Sequence, residues 1–170
     1  KRLEVEGLAV SVPNKGSFVE SMSPADIAEI YEMREVMEGL AARLLARRIK
    51  NEQVEVLRHL ADRADSPTAT VSDAEAFHSA VIKMCGNRRI VETTRTFCLD
   101  VITYDSHTHR LTSNGNARIA EEGRVAGVHR SLAETIISGD SRTAEEEFRN
   151  HIRMAKRNAA HYLLGIEDTL

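Results

Sequence analysis

Proline is the residue that most limits what this chain can become. It occurs only at Pro13, Pro24 and Pro67. Each proline fixes φ and removes a backbone donor, which breaks a helix interior. Beyond Pro67 nothing of that kind interrupts the backbone. Long helices are open to such a chain, and its apolar residues recur at i, i+3, i+4 and i+7. Hydrophobic residues make up 42% of it, enough for a core, but aromatics only 4%, with no tryptophan. A core of Leu, Ile, Val, Met and Ala suits helix-on-helix packing better than a sandwich. The expected fold is all-α, an antiparallel bundle of about six helices with short connections, preceded by a short N-terminal β-hairpin.

Charge and cysteine usage narrow the setting. The net charge is −3, which gives no bulk drive towards nucleic acid or anionic membrane. Cys85 and Cys98 are too few for a disulfide framework and read as buried thiols in a reducing compartment. No apolar run has the length to cross a bilayer, and no signal peptide opens the sequence. The expectation is a cytoplasmic protein without membrane partners. At 170 residues it is one domain, or one domain and a fragment.

Residues 1–20 differ in style from the rest. Leu3 to Leu8 looks like a helix end stopped by Gly7. Ala9 to Val12 alternates as a strand does, Pro13-Asn14-Lys15-Gly16 is a turn, and Ser17 to Glu20 reads as a returning strand. Ser23-Pro24-Ala25-Asp26 then starts a helix reaching about Ile49. Asn51 can cap a second helix to Ala64, followed by a linker over Asp65 to Thr70. Ser72-Asp73-Ala74-Glu75 has capping-box spacing and opens a third helix, stopped by Gly86-Asn87. A fourth runs to about Leu111, with Phe97, Leu99, Val101 and Ile102 available for burial and His107 and His109 near its end in a solvated or capping role. Thr112 to Asn116 is a loop, a fifth helix ends at Ser138, and Gly139-Asp140-Ser141 turns into the last, which ends by Gly165.

Three of these helices carry a histidine on the apolar stripe. His78 lies among Ala74, Phe77, Val81, Ile82 and Cys85. His129 lies among Val125, Val128, Leu132 and Ile136, and His151 among Phe148, Ile152, Ala155, Ala159 and Tyr162. A single imidazole on a core face is commonly a hydrogen-bonded core residue. Three on separate inward faces point to a divalent metal, because neutral imidazole is a common metal ligand and bundle cores are where such sites are built. Arg34 also sits on an apolar stripe, with Glu38 one turn later. The two form an i, i+4 ion pair, or the guanidinium awaits a carboxylate or phosphate.

Several segments resemble the ligand-sensing C-terminal (FCD) domain of GntR-type transcription regulators, in the FadR-like subfamily. They are Tyr31 to Glu38, Ala76-Phe77-His78, Gly86-Asn87, His129-Arg130, Ile137 to Asp140, and Arg149 to Ile152. Their order and spacing cover residues 24–165. Residues 1–20 resemble the end of that family's winged-helix domain, which makes 21–170 the helical effector-binding domain. The resemblance implies a homodimer acting on operator DNA through its N-terminal domain. It also implies a divalent metal in the bundle core, coordinated by a small carboxylate effector. His78, His129 and His151 match the family's three histidine ligands, and Arg34 matches the arginine that pairs with the effector carboxylate.

One departure stands out. The family's fourth ligand is an aspartate four residues before the first histidine, where this sequence has Ala74. Asp73 would point about 140° away from His78, whereas Glu75 is about 60° off. Glu75 can reach the metal or can close a capping box with Ser72. Zinc, nickel, manganese and iron all suit imidazole-rich ligation. The sensor reading, which is not an enzyme, stands against two alternatives. One is a metal-dependent hydrolase, for which no clear general base is in view. The other is a metal-free helical dimerisation scaffold.

Overall fold

The computed structural model describes residues 9–12, 16–19, 24–94 and 127–164. Strands β1 (Ala9–Val12) and β2 (Gly16–Val19) pair antiparallel, with Val10 opposite Phe18 and Ser11 opposite Ser17. Among the described residues all other elements are helices: α1 (Pro24–Ala46), α2 (Asn51–Ala64), α3 (Val71–Met84), α4 (residues 88–94), α5 (Val128–Ile137) and α6 (Ser141–Leu164). The helical bundle expected from periodicity is the architecture found. Leu3 to Leu8, Phe97, Leu99, Val101, Ile102, Cys98, His107, His109 and the loop Thr112 to Asn116 lie outside the described residues.

Local chemistry accounts for the helix starts, and corrects two of them. Helix α1 opens on Pro24, where a missing N–H costs nothing. Asn51 is the first residue of α2 rather than its cap, because the Gln53 side chain accepts the Lys50 N–H at 3.0 Å. The cap of α3 lies two residues upstream of the Ser72–Glu75 spacing. Asp73 accepts the Thr70 N–H at 2.9 Å and the Thr70 hydroxyl at 2.7 Å. Asp73 also pairs with Arg63 at the end of α2, which ties the two helices together. Asn87 Oδ1 accepts the amides of Arg89 and Ile90 to start α4. Asp140 accepts the amides of Arg142 and Thr143 and the Thr143 hydroxyl to start α6. Helix α5 begins only at Val128, because Gly127 is left-handed at φ +80°.

Helix α1 lies along α6, α2 packs on α3 and α5, and α1 also meets α3 and α5. The α1–α6 seam is tight: a Cβ placed on Gly39 would lie 2.6 Å from Arg149 Cγ. Phe77, Phe148, Leu45, Leu57, Ile136 and Val81 are completely buried. The Phe77 and Phe148 rings stack 6.0 Å apart within 18° of parallel. Cys85 is a buried free thiol. Further out, Arg58 of α2 grips Glu134 of α5 through two bonds of 2.8 and 2.9 Å. No helix among the described residues is long and apolar enough to cross a membrane.

Candidate metal centre

The apolar stripes of α3, α5 and α6 face one another, so the histidines on them meet. His78, His129 and His151 each offer one ring nitrogen, and these atoms lie within 4.8 Å of one another. His78 Nε2 and His151 Nε2 are 3.3 Å apart. The His78 and His151 rings are nearly parallel, and His129 stands across both. Phe77 sets its ring edge-on to His78 and His129, at 5.7 and 5.3 Å. A bulky apolar ring packed against two of the imidazoles leaves those two little freedom to turn.

Two of the rings are also held by carboxylates. Glu38 Oε2 lies 2.6 Å from His78 Nδ1, and Glu38 Oε1 accepts Arg34 Nε at 2.7 Å. Arg34, Glu38 and His78 are all buried. Burial alone would raise the Glu38 pKa, but the charge of Arg34, with help from His78, outweighs it and holds the carboxyl at about 2. Burial opposes the Arg34 charge too, and is outweighed by Glu38, Tyr31 and Glu75, so its pKa is raised. Since Glu38 is ionised, the shared proton belongs to His78 Nδ1, which leaves Nε2 as the ring nitrogen that faces the other imidazoles. The i, i+4 ion pair expected at Arg34 is therefore real, and its second oxygen orients a histidine.

Asp65 plays the matching part for His129. Its Oδ1 lies 2.8 Å from His129 Nδ1 and accepts the His129 backbone N–H at 3.1 Å, while Oδ2 accepts the Arg130 N–H at 2.8 Å. Gly127 has no side chain to cap α5, so this carboxylate from the end of α2 does it. In the sequence Asp65 reads as the first residue of a linker. Its partner is 64 positions away, and no local spacing signals that. His151 is set by burial first, then by the His78 and His129 rings, which lower its pKa to about 3. Its ring is neutral at pH 7, the form a metal needs.

Three imidazoles that each offer a ring nitrogen to one point fit a divalent cation. Two nitrogens each about 2.0–2.1 Å from one zinc ion stand roughly 3.0–3.4 Å apart, and the His78–His151 spacing of 3.3 Å falls in that range. A carboxylate behind a ligating histidine is the usual outer partner, since it fixes the tautomer and raises ligand basicity. Glu75 does not join the cluster. Its charge instead bears on Arg34.

Comparison with known proteins bears on what such a centre serves. A family model described as the FCD domain matches residues 29–154. An uncharacterised HTH-type transcriptional regulator of Agrobacterium vitis, from the TAR-I ttuE–ttuC' intergenic region, is 37% identical over 91 residues, covering 48% of this chain and 53% of that protein. The Nta operon transcriptional regulator of Aminobacter aminovorans is 27% identical over 100 residues, covering 56% and 48%. The chain thus spans about half the length of these two relatives. A GntR-family transcriptional regulator from Pseudomonas syringae shares the fold, with a TM-score of 0.65 at 15% identity over 97% of this chain and 69% of that one.

Proposed function

Because this chain belongs to the FCD domain family, we propose that it is the effector-sensing part of a GntR-type transcription regulator working as a cytoplasmic homodimer. The observation that carries this reading is the meeting of His78, His129 and His151 with carboxylates behind two of them. Zinc, nickel, manganese or iron would be held by those three rings. A cation bound there supplies a Lewis-acidic position for an oxygen of a small carboxylate effector. Arg34 is buried near the same centre with Nε committed to Glu38, and in this reading its terminal nitrogens receive the effector carboxylate. Operator DNA is left to a winged-helix domain of which residues 1–20, with paired strands β1 and β2, are the end. Effector binding changes DNA affinity only by favouring one packing of the helices over another.

The names of the relatives point away from catalysis. A metal-free bundle would also bring His78 and His151 to 3.3 Å if His151 Nε2 donated a hydrogen bond to His78 Nε2. Elemental analysis with thermal melts separates the two. The expected outcome is co-purifying metal, a lower melting temperature after chelation, and a rise when small carboxylates are added to the metal-loaded protein. A metal-free preparation whose melting is indifferent to chelator and to added zinc overturns the proposal.

A further inference from the structure

We propose that Asp65 is a positioning residue that makes metal capture and the anchoring of α5 one event. This extends the metal-sensor reading and rests on it for its metal-binding arm. Asp65 ends α2, and its two oxygens receive three N–H groups from the second and third residues of α5, the backbone amides of His129 and Arg130 and the ring N–H of His129. The side chain is 11% exposed and the His129 side chain 14%, so water competes poorly for either. With three donors on it, Asp65 acts purely as acceptor. The His129 proton is thereby placed on Nδ1, which leaves Nε2 as the nitrogen that can ligate. A cation drawn to that nitrogen increases the acidity of the Nδ1 proton and strengthens its bond to Asp65. The same carboxylate caps α5, so a tighter ring contact also tightens the helix start. Gly127, at the cap position itself, has no side chain to share the task. His78 gains a comparable outer carboxylate from Glu38, but that contact caps no helix. Only the α5 ligand links occupancy to where a helix begins.

Asp65→Asn tests this with almost no change of shape. The amide has one acceptor oxygen. If that oxygen keeps the Arg130 amide, the NH2 faces His129 Nδ1 and forces the proton onto Nε2, blocking ligation. If it turns to the ring, it keeps the His129 amide and ring proton, and the Arg130 amide loses its acceptor. Long-range nitrogen–proton NMR of the metal-free protein reads the His129 tautomer directly. The expected result is Nδ1–H in the wild type and, in Asp65→Asn, either loss of that state or faster hydrogen exchange of the Arg130 amide. Zinc affinity, measured against a competing chelator, should fall about 10–100-fold in the variant, the usual loss when an outer partner is removed. Asp140→Ala, which removes the cap of α6 away from the imidazoles, should leave zinc affinity unchanged. Hydrogen exchange of the Arg130 amide in the wild type should slow when zinc is added, a readout that needs no variant. An Asp65→Asn protein with the wild-type tautomer and affinity, or an Arg130 amide indifferent to zinc, overturns the inference. If the wild type takes up no zinc, the sensor reading fails instead, and the tautomer measurement still decides what Asp65 does to His129.

Discussion

Two arginine–glutamate pairs in this protein have almost the same bond and opposite surroundings. Arg34 Nε meets Glu38 Oε1 at 2.7 Å with the side chains 9% and 2% exposed. Arg58 Nε meets Glu134 Oε1 at 2.8 Å with the side chains 33% and 41% exposed. The inner pair lies in the core and passes its second oxygen to His78, while the outer pair bridges α2 and α5 in reach of solvent. Contact distance therefore says little about what such a pair does. Water screens the outer pair and leaves it worth little. The inner one has no water to fall back on, so loss of either partner strands a charge.

Glu38→Ala is the sharpest way to break that contrast. It leaves Arg34 and His78 without their anion and should cost about 3–5 kcal/mol in urea unfolding, the range for one removed partner of a buried pair. The double change Arg34→Met with Glu38→Leu should recover most of that loss while metal binding stays weak, since His78 still lacks its carboxylate. Recovery of both would mean that Glu38 matters only for charge balance. Chelation comes next in size. Metal present at about 100 times its dissociation constant stabilises by about 2.7 kcal/mol, and calorimetry with and without chelator should read that difference. It should vanish in His151→Ala.

The outer pair should give the smaller effects. Glu134→Ala should lose only a fraction of what Glu38→Ala loses. That loss should disappear in about 1 M salt, where the screening length falls to about 3 Å. The Glu38→Ala loss should persist there. The pH dependence follows from the direction of the Glu134 shift, which is downward from 4.5, chiefly through the hydrogen bond from Arg58 and against its desolvation. A depressed folded pKa means that the contribution is complete above 4.5 and is lost as pH falls below it through the folded value. Acid titration of stability in wild type and Glu134→Ala should therefore diverge above that point and converge below it.

The same contrast explains what could be read from the sequence. Periodicity marked the stripes that bring His78, His129 and His151 together, because helical faces repeat on a local scale. It also marked Arg34 and Glu38 as an i, i+4 pair, though not the reach of Glu38 to His78 across 40 positions. Asp65 escaped altogether, since a residue that caps a distant helix has no pattern in its own neighbourhood. The Ser72–Glu75 spacing misled for a related reason. Thr70 and Asp73 offer the same spacing, and the pairing of Asp73 with Arg63 favours the earlier start. Glu75, marked as a possible metal ligand, is not among the three side chains that the described residues bring together.

The close approach at Gly39 has a mechanical side. With no room for even one methyl group between α1 and the Arg149 side chain of α6, these two, the longest of the described helices, cannot slide past one another without moving that arginine. A displacement of His129 is then passed to α2, which holds α5 at its start through Asp65 and further along through the Arg58–Glu134 pair.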